Sequence, residues 1–243
     1  MAVPPERSSQ ARRVVVEGFT ILCSILLAFG IEAWWARQQE RAEEQIILQS
    51  LEREFQAHAQ TLAWLSARRE ALLSAADVFL QGRTDEFPGV SRTDSLLYAV
   101  LFSPSFRSGD GARLAVISSG KLDLIEDETL RGLIAGWGEW VQGLAEHDLT
   151  MRSFVLETMH PLLDEHGVPY ARAVATRRGS PGEQMAPANT EIAYRRLLAD
   201  IRFENHVANR RDWGIAQRNL TDSLSTNADS ILARISRSLE ADR

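Results

Sequence analysis

Cysteine and lysine are almost missing from this 243-residue chain, which contains one of each, Cys23 and Lys121. Because Cys23 lies within an apolar run, the polar remainder can form no disulfide framework, thiolate metal site or cysteine nucleophile. The formal net charge is −6, whereas phosphate binding needs a concentrated cationic face, so nucleic acid is not expected as a partner. With 44% hydrophobic and 25% charged residues, the chain is expected to fold.

Catalytic motifs are also missing. The sequence contains no P-loop and no six-residue, glycine-rich dinucleotide fingerprint, and the adjacent pair His147-Asp148 has no nucleophile at a fixed spacing. One group of residues has metal-ligand types, but its members would point to different sides of a helix end, and solvated cap residues are the simpler interpretation: His160, Asp164, Glu165 and His166. We therefore predict no catalytic residue, cofactor or metal ion, and no enzyme activity.

The run of residues 14–35, VVVEGFTILCSILLAFGIEAWW, is long and apolar. As a helix it would span about 33 Å, against a hydrocarbon core of roughly 30 Å. No charge occurs between Gly18 and Ile31, and Trp34 and Trp35 fall where an aromatic belt meets the headgroups. The run predicts one transmembrane helix, with the lipid bilayer as its partner.

Two other interpretations of residues 14–35 remain open, namely a buried core helix and a signal peptide cleaved after Gly30. Three arginines precede the run, against Arg37 and Arg41 close behind it, so the positive-inside rule favours a cytoplasmic N-terminus. This predicts a cytoplasmic tail at residues 1–13 and a periplasmic C-terminal domain at the bacterial inner membrane.

Residues 37–81 contain no glycine or proline, and their apolar positions alternate in spacings of three and four. Such a heptad seam is typical of a coiled coil, and it predicts a long helix continuous with the membrane span that ends at Gly82. His58 and Arg69 occupy two seam positions. We expect His58 to be a hydrogen-bonded seam residue that sets register or partner number.

The rest of the chain predicts further helices and no strand. Short helices are expected over 94–102 and 111–119, the second capped by Gly120, and a long helix is expected from Asp127 to Gly167. Residues 168–188 are expected to form a mobile loop, and a last helix is expected over 190–239. Residues 36–243 are thus predicted to be an all-α, elongated antiparallel helical bundle whose first long helix continues the transmembrane helix.

Two motifs resemble a family of uncharacterised bacterial single-pass membrane proteins, known as a domain of unknown function. In the span, Glu17, Leu27-Ala28, Glu32 and Trp34 stand at the family's positions, although Ser24 replaces a frequent glycine and Glu32 an amide. The second motif is the stretch from Ser118 to Ile125 followed by Leu130-Arg131, similar to the family's "SSG-x-L-x-L-I … LR" pattern. The resemblance implies a membrane anchor and a helical fold, and no activity.

Within the span, Glu17 and Glu32 fall within about 60° of one another on one face, and Ser24 and Ala28 form a pair of small residues four positions apart. The leading hypothesis is a membrane-anchored interaction module, a scaffold or accessory subunit that binds a protein partner or a second copy through the membrane helix and the heptad seam. A ligand-sensing bundle with a pocket among Trp137, Trp140 and Trp213 is one alternative. A single-pass subunit of a proton-linked complex, using the two glutamates, is another.

Overall fold

The computed structural model describes residues 7–81, 87–107, 109–178 and 187–241, and every regular element within those ranges is helical. The predicted all-α fold with a long N-terminal helix is confirmed. The α-helices are α1 (Arg7–Gln81), α2 (Val90–Leu101), α3 (Gly111–Ser118), α4 (Glu128–Phe154), α5 (His160–Glu165), α6 (Tyr170–Arg178), α7 (Pro187–Leu198) and α8 (Ile201–Ala241).

Helix α1 runs without a break from the apolar run into the bundle. Its 75 residues span about 112 Å at 1.5 Å per residue. No glycine or proline interrupts it after Gly30, so every backbone amide can keep its i→i−4 hydrogen bond. The predicted continuity is confirmed, whereas the expected cap, Gly82, lies outside the described residues.

The heptad positions of α1 form the buried face of the bundle. Nine of the ten predicted positions are buried, with exposures between 0 and 3%, and the tenth, Phe79, is half-buried; the nine are Leu48, Leu51, Phe55, His58, Leu62, Leu65, Arg69, Leu72 and Ala76. The predicted seam is therefore confirmed, and it is covered by other helices of the same chain, chiefly α8. Alternate spacings of three and four keep one stripe facing a neighbouring helix, which is the packing of coiled coils.

Helix α4 lies beside α1 and runs in the same direction. Phe55 meets Trp137, and further along both helices Arg69 meets Asp148. The helix begins as predicted at Asp127, whose side chain accepts a hydrogen bond from the Leu130 amide at 3.0 Å. A π-helical turn over residues 155–159 joins α4 to α5.

Helix α8 is antiparallel to α1, since Asp77 contacts Arg211 near one end and Ser66 contacts Asp222 further along. The prediction of one helix over 190–239 is wrong, because α7 ends at Leu198 and α8 begins at Ile201. Asp200 lies in the break, where its side chain accepts a hydrogen bond from the Arg202 amide at 2.8 Å. An aspartate that satisfies the first amides of a helix favours starting a new helix there.

The chain returns from the far end of α1 to the start of α4 through α2 and α3. Helix α2 begins at Val90, four residues before the predicted start, after Gly89 with φ of 91°. Helix α3 has the predicted position, and Gly120 adopts the left-handed conformation (φ 70°) that ends it. Beyond it, Ile125 is fully buried and Lys121 Nζ lies 2.5 Å from Glu43 Oε1. The stretch that follows α3 therefore docks onto the bundle.

The expectation of a loop over residues 168–188 is wrong for 170–178, which form α6, and for 187–188, which begin α7. Helix α6 packs on α2: Arg172 Nε donates to Asp94 Oδ2 at 3.0 Å. The Tyr194 hydroxyl of α7 donates to the other oxygen of Asp94, which is fully buried. These bonds tie α2, α6 and α7 together; residues 179–186 lie outside the described part.

The core consists of two apolar clusters separated by a layer of buried polar side chains. One cluster lies around Phe55, Ile134 and Ile231, nearer to the apolar run, and the other around Leu97, Leu163 and Phe203 at the far end. Four large apolar residues of α4, α7 and α8 are exposed: Trp140, Leu149, Ile192 and Ile201. Each of these helices buries one stripe of its surface against the bundle, and the four residues lie outside those stripes.

Candidate functional site

The apolar run at the start of α1 packs against no other part of the described chain. Every residue from 17 to 42 is exposed. Ten large apolar side chains between Phe19 and Trp35 show 48 to 66% of their surface. The described residues contain one helix long and apolar enough to cross a membrane, and none of its most apolar window is buried. A core helix would bury this surface, so that interpretation does not fit the fold.

The polar residues of the run lie where a membrane span tolerates them. Glu17 and Glu32 are near its two ends, from which a carboxylate can reach the interface. Trp34 and Trp35 follow at the bundle side, with ring centroids 6.3 Å apart and exposures of 57 and 66%. Adjacent residues of a helix point about 100° apart, so these two indoles cover a broad arc at one level of the helix.

Ser24 and Ala28 occur one turn apart in the middle of the run. The Ser24 hydroxyl donates to the Thr20 carbonyl oxygen at 2.8 Å, so its polar group is satisfied within the helix, as a hydrocarbon environment requires. The two small side chains leave a shallow strip against which a second helix could pack closely.

The buried polar layer lies half-way along the bundle and joins α1, α4 and α8. Arg69 Nη2 lies 2.7 Å from Asp148 Oδ1, and Gln217 Nε2 donates to the same oxygen at 2.8 Å. The Phe106 amide donates to Asp148 Oδ2 at 3.2 Å. Arg210 donates to the Gln217 side chain at 3.0 Å and to the Val100 carbonyl oxygen at 3.1 Å. Every charged group of the layer is thus hydrogen-bonded, which buried charge requires.

Burial governs the ionisation of this layer. It raises the pKa of Asp148, against the opposing effect of Arg69 and of the Phe106 amide. It lowers the pKa of Arg69, and it lowers the pKa of Arg210 to about 10. Two guanidinium groups and one carboxyl group meet here, and all three side chains are buried. The layer fixes the register of three helices, because a shift of any one would leave a buried charge without its partner.

A second buried polar group surrounds His58 in the seam. The ring is 3% exposed and stacks on Trp137, with centroids 5.3 Å apart and planes 5° from parallel. Phe55 and Phe106 meet the ring edge-on. Neither ring nitrogen has a hydrogen-bond partner, so the expectation of a hydrogen-bonded seam histidine is wrong. Asp110 Oδ1 lies 3.7 Å from His58 Nε2.

Carboxylates from two elements face this ring. Glu54 and Asp110 each place an oxygen, and His58 a ring nitrogen, within 4.8 Å of one another. Glu54 accepts hydrogen bonds from the amides of Ala112 at 2.6 Å and Arg113 at 3.1 Å, which cap α3. Arg113 Nη2 lies 3.3 Å from Asp110 Oδ2. Burial lowers the pKa of His58, although Glu54 and Asp110 oppose that effect.

The histidines and acids at the end of α5 do not converge on a metal site. His166 Nε2 lies 2.8 Å from Asp200 Oδ2, and Glu165 pairs with Arg202 at 2.8 Å. Hydrogen bonds from Arg202 and His166 hold the pKa of Asp200 well below its usual range. The group joins α5 to the start of α8, a connection that the interpretation as solvated cap residues did not include.

The three tryptophans that were predicted to line a ligand pocket lie in different parts of the bundle. Trp137 is fully buried beside His58, and Trp213 lies against His147 with centroids 5.3 Å apart. Trp140 alone lines a surface cleft of about 500 Å³, together with Leu220, Leu224 and polar residues of α4 and α8. The predicted three-tryptophan pocket is therefore not formed.

Sequence reasoning missed the partners of His58, although it placed His58 correctly in the seam. Glu54 lies one helical turn before His58, so the sequence alone could have identified it as a neighbour. Asp110 is 52 positions away, and only the fold shows that it lies beside His58. Comparison with models of protein families, with curated proteins and with solved structures gives no match to this chain. The function is therefore argued from these geometries.

Proposed function

We propose that this chain is a single-pass membrane protein whose helical bundle is an interaction module, a scaffold or accessory subunit without catalytic activity of its own. The observation that carries the proposal is the unburied apolar surface of residues 17–35, which continues without a break into a bundle with its own core. Water does not favour so large an exposed apolar surface on one helix, whereas lipid does.

The unbroken continuation of α1 into the bundle supports a role in positioning a partner rather than in catalysis. From residue 36 to residue 81 the helix extends about 69 Å, so the far end of the bundle stands at a set height above the headgroups. The arginines before the run favour a cytoplasmic N-terminus, with the bundle in the periplasm of a bacterial inner membrane.

A partner is more simply bound through the membrane helix than through the heptad seam. The seam of α1 is already covered by the same chain, so a second copy would have to displace α8. The strip formed by Ser24 and Ala28, by contrast, has no covering helix within the described residues.

Affinity purification of the full-length chain in a mild detergent, with mass determination of the intact complex, tests this proposal. We expect a defined complex with another protein or a second copy. Ser24→Leu with Ala28→Leu should dissociate it, because added bulk on that strip prevents close packing. Leu22→Phe with Leu26→Phe adds bulk to the opposite side and is the matched control. A bare monomer in every preparation contradicts the proposal.

A ligand-sensing bundle is the second candidate, favoured by the cleft beside Trp140. A ligand there would change the tryptophan emission, and Trp140→Phe would abolish the change while Trp64→Phe, on α1, would not. A screen of small organic acids, amines and sugars that produces no Trp140-dependent change eliminates this candidate.

A proton-linked role would depend on Glu17 and Glu32, since acids within a span are functional by default. It predicts that Glu17→Gln and Glu32→Gln abolish an activity of the purified complex that Glu17→Asp and Glu32→Asp retain. Equal activity of all four variants rejects it.

A further inference from the structure

His58 is an unusual core residue, because it is buried without a hydrogen bond. Both of its ring nitrogens and Asp110 Oδ1 lack partners, although each is hidden from solvent. A buried polar atom left without a partner costs about 1–3 kcal/mol, so native proteins rarely keep one. Something that the protein chain does not itself supply is expected to satisfy these atoms.

Glu54, His58 and Asp110 together have the composition of a metal site. Glu54 and His58 lie four residues apart on one face of α1, and Asp110 immediately precedes α3. Their ligand atoms all lie within 4.8 Å of one another, and the His58 Nε2 to Asp110 Oδ1 separation is 3.7 Å. Ligand atoms around one tetrahedral zinc ion are about 3.4 Å apart. A shift of a few tenths of an ångström would bring these two atoms to that separation.

Neighbouring groups hold the ligands in place. Arg113 Nη2 engages Asp110 Oδ2 and so leaves Oδ1 to face His58. The amides of Ala112 and Arg113 fix the Glu54 carboxylate, and each of its oxygens keeps a further lone pair. Trp137 stacks on the imidazole and fixes its plane. Outer groups of this kind orient metal ligands in proteins.

The charge of this cluster and its position near the protein surface also suit a cation. Two carboxylates and one guanidinium leave a net charge of −1 around a neutral imidazole, which a divalent ion more than offsets. Asp110 retains 16% side-chain exposure, so the cluster lies near the protein surface. Arg113 Nε and Trp137 Nε1 also lack partners, and a zinc ion held by three protein ligands takes water in its fourth coordination position.

We propose that Glu54, His58 and Asp110 bind one divalent transition-metal ion of the zinc class. An imidazole with two carboxylates suits Zn²⁺ and its neighbours, whereas Mg²⁺ and Ca²⁺ prefer ligand sets made of oxygen alone. The ion would join the segment before α3 to α1. This proposal is independent of the membrane role, and either can fail without the other.

Zinc binding by the full-length chain in mild detergent tests the site. The chain carries a tag without histidine, is stripped with a chelator and is titrated with Zn²⁺ in equilibrium dialysis. We expect one Zn²⁺ per chain, with His58→Gln and Asp110→Asn each weakening binding by at least about tenfold. His166→Gln is the matched control, since His166 also lies between a glutamate and an aspartate but is hydrogen-bonded to Asp200. No bound zinc, or binding unchanged in His58→Gln, overturns the proposal.

A second measurement on the unaltered chain keeps the test independent of how the variants fold. X-ray absorption at the zinc edge should reveal one imidazole per ion among oxygen ligands, and Zn²⁺, but not equal Mg²⁺ or Ca²⁺, should raise the melting temperature of the bundle. A ligand set of oxygen alone, or equal effects of the three ions, contradicts the proposed site.

Discussion

The two halves of α1 share one continuous backbone and differ in what surrounds them. Between residues 17 and 42 every side chain is exposed, and large apolar residues occur on all sides of the helix. Between Glu44 and Gln81 most large apolar residues lie on one buried stripe, Ile46 and Trp64 being exposed exceptions, and most charged residues occupy the other faces.

This difference is the one expected if the two halves of α1 lie in two different solvents. A stripe is enough where protein covers one side and water the other, whereas an apolar surface all round is stable only in lipid or in a core. Since no core covers the first half, the comparison supports a bilayer around it and water around the second half.

Placing charged residues in the first half of α1 should have the largest effect, which is on membrane association. Two buried charges at the centre of a span, Leu22→Arg and Leu26→Arg, cost roughly 5–7 kcal/mol on insertion scales. We expect the double variant to leave the membrane fraction in alkaline-wash fractionation. Ile46→Arg is the control in the second half, where Ile46 is 69% exposed, and it should remain in the membrane. Release of neither variant would contradict the division between the halves.

The stability of the bundle around the second half of α1 should instead depend on its buried charged residues. Asp148→Ala leaves Arg69 uncompensated inside the bundle and is expected to destabilise it by about 3–5 kcal/mol. Urea unfolding followed by circular dichroism measures the loss, and membrane association should not change. Asp212→Ala, at an exposed position of α8, should cost less than about 0.5 kcal/mol. Equal stability of the two variants would show that the polar layer does not hold the helices together.

A smaller effect is expected where α8 meets α1 most closely. A Cβ at Gly214 would lie 2.8 Å from Leu72 Cδ2 and 3.1 Å from Leu73 Cδ2. Gly214→Ala should therefore destabilise the bundle by about 1–3 kcal/mol. Gly132→Ala in α4 meets nothing within 4 Å and should stabilise by about 0.5–1 kcal/mol through its helix propensity. Opposite melting shifts confirm the packing, and a gain in both variants would contradict it.

The smallest effect concerns pH at the end of the bundle far from the apolar run. Arg202 and His166 hold the pKa of Asp200 below its usual range, so its stabilising contribution is present above pH 4 or so and declines as the pH falls below that. Asp200→Asn should melt at a lower temperature than the natural chain at pH 7. The difference should shrink as the buffer is taken below about pH 4. A difference in melting temperature that does not change with pH would contradict an ion-pair origin for the stabilisation by Asp200.

The sequence predicted the long elements well, because regular spacing is a local signal. The alternation of three and four residues from Leu48 to Ala76 marked the buried stripe of α1, including His58 and Arg69. Asp127 and Gly120 marked a helix start and a helix end by their own chemistry.

The misses have physical reasons. Residues 170–178 contain no glycine or proline, but the glycines and prolines on both sides made the whole stretch resemble a loop. The break at Asp200 has neither residue type, so only the capping role of Asp200 could have indicated it. The contact of His58 with Asp110 depends on the path of α2 and α3, which no local pattern encodes.

The location of Cys23 tests the central claim most directly. It is the only cysteine, it lies in the middle of the apolar run, and its side chain is exposed in the folded chain. In open membrane fragments, a water-soluble maleimide should fail to label Cys23 until SDS is added, because lipid surrounds it. A Cys23→Ser chain with Gln49→Cys, exposed on the second half of α1, should be labelled at once. Equal, rapid labelling of both would contradict a membrane around the first half.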